Sequence, residues 1–395
     1  MKASGNPLRI SIVQGAFLPV PPLLGGAVEK AWYSLGREFA KEGHIVTHIA
    51  RQYGNLPDDE TDGGVRYLRV RGHDAPASLL KLKLLDLLYS RRARDVIPES
   101  DVLVTNTFWL PLLERRRSRG LVYVHVARFP KGQVRYYPRR TALQTVSRPV
   151  SEAIRREIGG PSPRIRVVPY PLSEGYLVDL PTSRPRVILY AGRIHPEKGI
   201  HLLLEAFSRL SARRAHGWTL RIVGPWETRH GGGGAEYMEA LRRQSAGCEV
   251  TFTGPVFEEH GLVREYQNAS IFAYPSLAEK GETFGLAVLE AMGAGCAPVV
   301  SNLPCFGDFV DEASGVVFDH RGGDAPGELA GKLDLLMRDP HRLEALRAAA
   351  WSTARRYALP LVAGRFIQDF QEALHDQAGT RYPIDTSGPI PAQPT

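Results

Sequence analysis

Two series of strand signals, each interleaved with helix signals, constrain this 395-residue chain more than any other feature. The first opens with Leu8-Arg9-Ile10-Ser11-Ile12-Val13, alternating and then continuously apolar. A loop rich in proline and glycine covers residues 19–26. Helical spacing of apolar residues then runs over 27–42, with Gly43 just past its end, and a strand pattern follows at 45–50. Strand, loop, helix, strand is a βαβ unit, which predicts a parallel sheet. Residues 102–104 and 121–124 read as further buried strands. The second series starts at 186–191. It continues through a helix at 200–213 and strands at 220–223, 250–253, 271–274 and 297–301.

Between the two series, residues 169–185 carry four prolines and a Thr-Ser turn signal, the composition of a linker. The expected architecture is therefore α/β, with two Rossmann-like doubly wound domains at residues 1–172 and 173–360. A last helical pattern occupies 361–377. Residues 378–395 carry proline, glycine and serine without periodicity and are expected to be disordered. Hydrophobic residues make up 43% and charged residues 23% of the chain, as in a soluble globular protein. No apolar run suits a membrane span, and residues 1–7 lack the apolar core of a signal peptide. Cys248, Cys296 and Cys305 have neither metal spacing nor the pattern of a disulfide framework. A cytoplasmic location is the expectation.

The densest chemistry runs from Glu279 to Gly295. A strand ends near Tyr274, a loop carries Glu282, and a helix is expected to start near Phe284 or Gly285, with Glu290 about two turns in. The first N–H groups of a helix lack internal partners and suit phosphate or sugar oxygens. Helical side chains lean toward the N-terminus, so Glu282 and Glu290 would both face a ligand docked there. A carboxylate offers two acceptor oxygens to neighbouring hydroxyls. A second strand-to-helix junction holds Arg193 and Lys198, five residues apart, which would neutralise a diphosphate. In the first half, Gly25-Gly26 precedes a helix and would admit a ligand close to the backbone. His125 follows a strand and should face the cleft between the domains. The four glycines 231–234 read first as a flexible loop, also placed to close over a ligand.

These motifs resemble those of the family 4 retaining glycosyltransferases of the GT-B fold. The resemblance rests on Gly192-Arg193 with Pro196-Glu197-Lys198-Gly199, on the Glu282/Glu290 pair, on Gly293-Ala294-Gly295 followed by Pro298-Val299-Val300, and on Gly25-Gly26 with Gly43-His44. It covers residues 8–377. It implies that two domains face a cleft and that the helix at 361–377 crosses back onto the first domain. It further implies that Arg193 and Lys198 hold the donor diphosphate and Glu290 the ribose. Glu282 and the backbone at Phe284, Gly285 and Leu286 would contact the transferred sugar, with His125 beside it. It implies no cofactor and no bound metal. The reaction implied is retaining transfer of a hexosyl-type sugar from a UDP- or GDP-linked donor.

The acceptor is less legible. Residues 1–150 hold 24 Lys and Arg against 13 Asp and Glu, a balance of +11, while the remainder balances at −3. Arg128, Lys131 and Arg135, with Arg139 and Arg140, form a run free of acids. Residues 79–94 are leucine-rich with a basic end. Together they suggest an anionic partner, namely a glycan or lipid-linked acceptor at the inner face of the cytoplasmic membrane, as in cell-envelope polysaccharide or glycolipid assembly. A soluble small-molecule acceptor, a sugar-nucleotide epimerase and a phosphorylase stand as alternatives on the same fold. A nucleic-acid partner is not expected, because no helix-turn-helix, zinc or RNA-binding signature is present.

Overall fold

The structure is a computed structural model that describes residues 6–379 except 161, 163, 181–183 and 212–216. Most of the expected disordered tail lies outside the described residues. So does the end of the helix expected at 200–213.

The first sheet is built from β1 (Arg9–Val13), β2 (Ile45–Arg51), β3 (Asp59–Asp62), β4 (Val65–Val70), β5 (Val102–Thr105), β6 (Leu121–Val126), β7 (Ala142–Thr145) and β8 (Ile165–Val167). Their order is β3-β4-β2-β1-β5-β6-β7-β8, parallel except for the β3–β4 hairpin. The helices α1 (Ala27–Lys41), α2 (Leu79–Val96), α3 (Leu110–Leu113) and α4 (Arg148–Ile158) connect the strands. Alternation along β1 explains why both faces are covered. Ile10 and Ile12 pack with Trp32 and Phe39 of α1, whereas Val13 packs with Tyr89 of α2 and Val150 of α4.

The second sheet contains β9 (Val187–Ala191), β10 (Thr219–Val223), β11 (Val250–Gly254), β12 (Ile271–Tyr274), β13 (Ala297–Ser301) and β14 (Val316–Phe318), in the order β11-β10-β9-β12-β13-β14. Its helices are α5 (Ile200–Ser211), α6 (Gly234–Gln244), α7 (Glu259–Gln267), α8 (Leu286–Gly293), α9 (Ala325–Arg338) and α10 (Pro340–Arg355). The inner strands β9, β12 and β13 are almost wholly apolar and buried, as expected where helices cover both faces of a parallel sheet, whereas the edge strand β11 alternates.

The last helix, α11 (Leu359–Gly379), belongs to the first core although it follows the second domain in sequence. Val362, Phe366, Ile367 and Phe370 pack with Trp32, Phe39 and Tyr123. Arg166, beside β7 on the sheet edge, reaches Asp369 at 2.9 Å and Asp376 at 2.5 Å. A direct bond also joins the domains: Asp308 accepts from the backbone N–H of Arg148 (2.8 Å) and from its Nε (2.5 Å), so a carboxylate of the second domain caps the N-terminus of α4.

In both sheets the strand order reverses next to the first strand of the series, β1 or β9. Open parallel sheets bind ligands at the carboxyl ends of strands flanking such a reversal. The loops leaving β1, β9 and β12 therefore frame the place to examine.

Candidate active site

Lys198 and Glu282 form the centre of the second-domain wall. Lys198 ends a 3-10 turn after β9, and Glu282 lies on the loop between β12 and α8. The Lys198 Nζ donates to Glu282 Oε2 at 2.7 Å, with both side chains about nine-tenths buried. The same oxygen accepts from Tyr274 Oη at 3.1 Å and Ser276 Oγ at 3.4 Å. Gly199 makes this approach feasible. Its φ is +69°, and a Cβ there would sit 2.0 Å from the Pro275 carbonyl oxygen. Any other residue would force apart the two loops that carry the pair.

Arg193 is half-exposed beside them. Its guanidinium donates to the Gly231 carbonyl at 2.8 Å and to Glu197 at 2.9 Å. That contact corrects the reading of residues 231–234 as a flexible loop. The N–H groups of Gly231, Gly232, Gly233 and Gly234 each donate to a backbone carbonyl, of Thr228, Glu227, Ile194 and Trp226 respectively. A Cβ on Gly232 would lie 2.2 Å from the Trp226 carbonyl. Glycine serves close packing here, and the turn buttresses Arg193.

The helix expected from Phe284 or Gly285 begins at Leu286, with Gly285 as its N-cap at φ +89°. Glu290 therefore sits little more than one turn in, rather than two. Tyr266 Oη donates to it at 3.3 Å. Burial pushes its carboxyl up to about 7, against the opposing pull of Lys30 from the first domain and of the Tyr266 hydroxyl.

On the first-domain wall, Gly26 caps α1 at φ +97° and Gly25 stands before it at φ +76°. His125 lies one residue before the end of β6 and is buried. Its Nδ1 meets Gln144 Oε1 at 2.5 Å and its Nε2 meets Tyr170 Oη at 3.2 Å. Burial drives its pKa down to about 4, so the imidazole is neutral at physiological pH. Tyr170 touches both walls, since its ring also stands edge-on to Phe284 at 5.7 Å. Arg128 approaches the same region, where it lowers the pKa of Glu29. Lys131 and Arg135 lie farther along an exposed segment pinned to α4 by Glu157, which accepts from the N–H groups of Gly132 and Val134.

Sequence reasoning missed Tyr274, Ser276, Tyr170, Lys30 and Glu29. Tyr274 and Ser276 were reachable, because they end a strand that points at the loop. Glu29 looks in sequence like an ordinary acid in the first turn of a helix, and nothing there announces its burial.

Residues 179–353 match the family model described as Glycosyl transferases group 1. The matched span includes Arg193, Lys198, Glu282 and Glu290. The second domain thus resembles that of the group 1 glycosyl transferases. This chain is 30% identical over 200 residues to a D-inositol 3-phosphate glycosyltransferase of Frankia alni, covering 49% of this chain and 46% of the relative. It is 30% identical over 195 residues to a GDP-mannose:cellobiosyl-diphosphopolyprenol alpha-mannosyltransferase of Komagataeibacter xylinus, covering 48% and 46%. The chain spans about half the length of these curated relatives. The whole fold is shared more widely. A sucrose-phosphate synthase structure from Thermosynechococcus elongatus superposes with a TM-score of 0.75 at 19% identity, over 93% of this chain and 100% of that one. The chain thus has the two-domain GT-B fold. Among its described residues no helix is long and apolar enough to cross a membrane. Among the described residues no three His, Cys, Asp or Glu side chains gather in a group that could hold a metal ion.

Proposed function

We propose that this chain transfers a hexosyl-type sugar, with retention, from a UDP- or GDP-linked donor to a hydroxyl of a lipid-linked glycan. The observation that carries the reading is the Lys198–Glu282 pair at 2.7 Å beside Arg193, at the strand-order reversal of the second sheet. Lys198 and Arg193 bind the diphosphate and take up the charge it gains as the anomeric C–O bond breaks. Glu282 accepts from hydroxyls of the sugar. The N–H groups opening α8, at Leu286 and after, add to the anion site. Glu290 accepts from the ribose. A bond forms between the acceptor oxygen and the anomeric carbon, and the acceptor proton passes to the leaving diphosphate oxygen. Neutral His125 takes no part as an acid at pH 7; with its ring nitrogens held by Gln144 and Tyr170 it backs the sugar site through Tyr170. Cationic side chains supply the charge neutralisation without a metal, so transfer is expected to survive chelation.

The acceptor reading rests on the first domain. The exposed side of α2 carries Leu79, Leu80 and Leu84 together with Lys81 and Lys83, while its buried face is made of Asp86, Tyr89, Ser90 and Ala93. An outward leucine–lysine surface suits anionic lipid. The Komagataeibacter relative is named for a polyprenol-linked acceptor. The Frankia relative is named for D-inositol 3-phosphate and favours a second reading with a phosphorylated small-molecule acceptor. Incubating the purified chain with UDP-glucose, UDP-N-acetylglucosamine and GDP-mannose, and measuring nucleoside diphosphate release, tests the donor assignment. Release from none of them, with no binding of UDP or GDP, refutes it.

A further inference from the structure

Glu29 occupies the third position of α1, in the first turn, yet only 7% of it is exposed. Acids are common in first turns because the helix dipole favours them there, normally in contact with solvent. This one is enclosed. Among the described residues no cation lies within ion-pair distance of it, and Arg128 acts on it only from farther away. Burial raises its pKa, opposed by its own backbone N–H and by the amide of Gln14. The carboxylate folds back over the preceding peptide, so that a Cβ on Gly26 would lie 2.1 Å from Oε2. Beside it Gln14, at the carboxyl end of β1 and 1% exposed, leaves its Nε2 without a hydrogen bond of ordinary length. Gln14 Oε1 is engaged by His48 at 3.4 Å, which leaves the donor end of the amide for Glu29.

A buried amide donor and a buried carboxylate that no cation neutralises thus face each other on the first-domain wall, with only a long contact between them. Leaving such groups unsatisfied costs stability, which a binding role explains. A phosphate would satisfy the donor and be repelled by the acceptor. A hydroxyl, which donates and accepts at once, satisfies both. Tyr170, which Glu29 influences electrostatically, links this spot to His125 and to Phe284 across the cleft.

We propose that Glu29 and Gln14 together receive the attacking hydroxyl of the acceptor. Its proton points at Glu29 and its lone pair at Gln14 Nε2. The pair orients the nucleophile and takes no proton from it. The inference rests on the transferase reading above, and water serves as the simplest hydroxyl that can test it. Donor hydrolysis is measured for the wild type, Glu29→Gln, Glu29→Asp and Gln14→Ala. The dissociation constant of the matching nucleoside diphosphate is measured by calorimetry, and the melting temperature of each variant is recorded. The expected result is a fall of about tenfold or more in hydrolytic kcat for Glu29→Gln and Gln14→Ala. Nucleotide affinity and melting temperature should stay close to wild type, with Glu29→Asp in between. Unchanged kcat in Glu29→Gln overturns the inference. So does a loss of kcat that only follows a loss of melting temperature, because that marks Glu29 as a helix-capping acid. A wild type that neither binds nor hydrolyses any nucleotide sugar removes the transferase reading first and this inference with it.

Discussion

The Lys198 ammonium and Glu282 Oε2, 84 residues apart in sequence, meet at 2.7 Å with little solvent between the two loops that bear them. Each holds the other's charge in place before any ligand arrives, and Tyr274 and Ser276 fix the carboxylate from behind. Lys198→Ala should lower kcat by about 10²–10³, the usual loss on removing one donor to a developing anion. Glu282→Ala should lose activity on a similar scale. Each single variant strands a buried charge, so the double variant should be more stable than the sum of the two predicts, with a coupling of about 1–3 kcal/mol. Denaturant melts of the four proteins measure that coupling. Strict additivity would show that the pair is not an energetic unit.

The Gly231 turn sets Arg193, and Gly232 is its tightest point. In Gly232→Ala the new methyl meets the Trp226 backbone at 2.2 Å, and backbone yields only by moving the turn. The Arg193 guanidinium then loses its Gly231 partner, and donor KM should rise about tenfold, the equivalent of one charge-assisted hydrogen bond. Gly323→Ala, at a glycine with nothing within 4 Å of a built Cβ, is the control and should leave KM unchanged.

Donor binding should depend on pH near neutrality through Glu290. Its folded pKa, pushed up to about 7, exceeds the ordinary carboxylate value, so its contribution to stability is full below about pH 4.5 and is lost as pH rises through 7. Ribose hydroxyls donate best to the ionised form. Nucleotide binding should therefore strengthen from pH 6 to pH 8, by up to about tenfold for each pKa unit by which the ligand lowers Glu290, and should release a proton. Calorimetry in buffers of different ionisation enthalpy counts that proton. Glu290→Gln should bind more weakly, with no pH dependence over this range. A wild type equally indifferent to pH would remove Glu290 from the ribose site.

The strands and the loops leaving them were legible because burial on both faces writes them as short apolar runs. The strand at 271–274 and the strand at 297–301 coincide with β12 and β13 to the residue. Arg193, Lys198, Glu282 and Glu290 were legible as charged residues standing just past such runs. Their pairing was not, since nothing local to Lys198 reveals Glu282. The contact depends on Gly199, whose positive φ and missing Cβ let the two loops close. Glu29 and Gln14 were hidden for the same reason. Burial is a property of the assembled cleft, and a glutamate in a first turn reads the same whether or not a cleft encloses it. The glycine run failed in the opposite direction, because composition suggested freedom where the fold uses glycine to admit a neighbouring backbone.

The α2 surface yields the last prediction. Leu79, Leu80 and Leu84 are 77%, 81% and 54% exposed, an unusual fate for three leucines in five turns of helix. The buried side of the helix is closed by Asp86, which accepts from the N–H groups of Phe108 and Trp109, and by Tyr89. The leucines can therefore change without touching that packing. Each leucine sunk into lipid contributes about 1.5–3 kcal/mol, and each nearby lysine about 1 kcal/mol on an anionic surface. Leu80→Glu/Leu84→Glu should cut sedimentation with phosphatidylglycerol vesicles by about tenfold or more on those magnitudes. Its melting temperature and soluble donor hydrolysis should stay at wild-type values. Lys81→Gln/Lys83→Gln should instead flatten the salt dependence of binding and leave part of it in place. If the wild type fails to sediment with these vesicles at low salt, the leucine face serves something other than a lipid surface, and the phosphorylated soluble acceptor becomes the better reading.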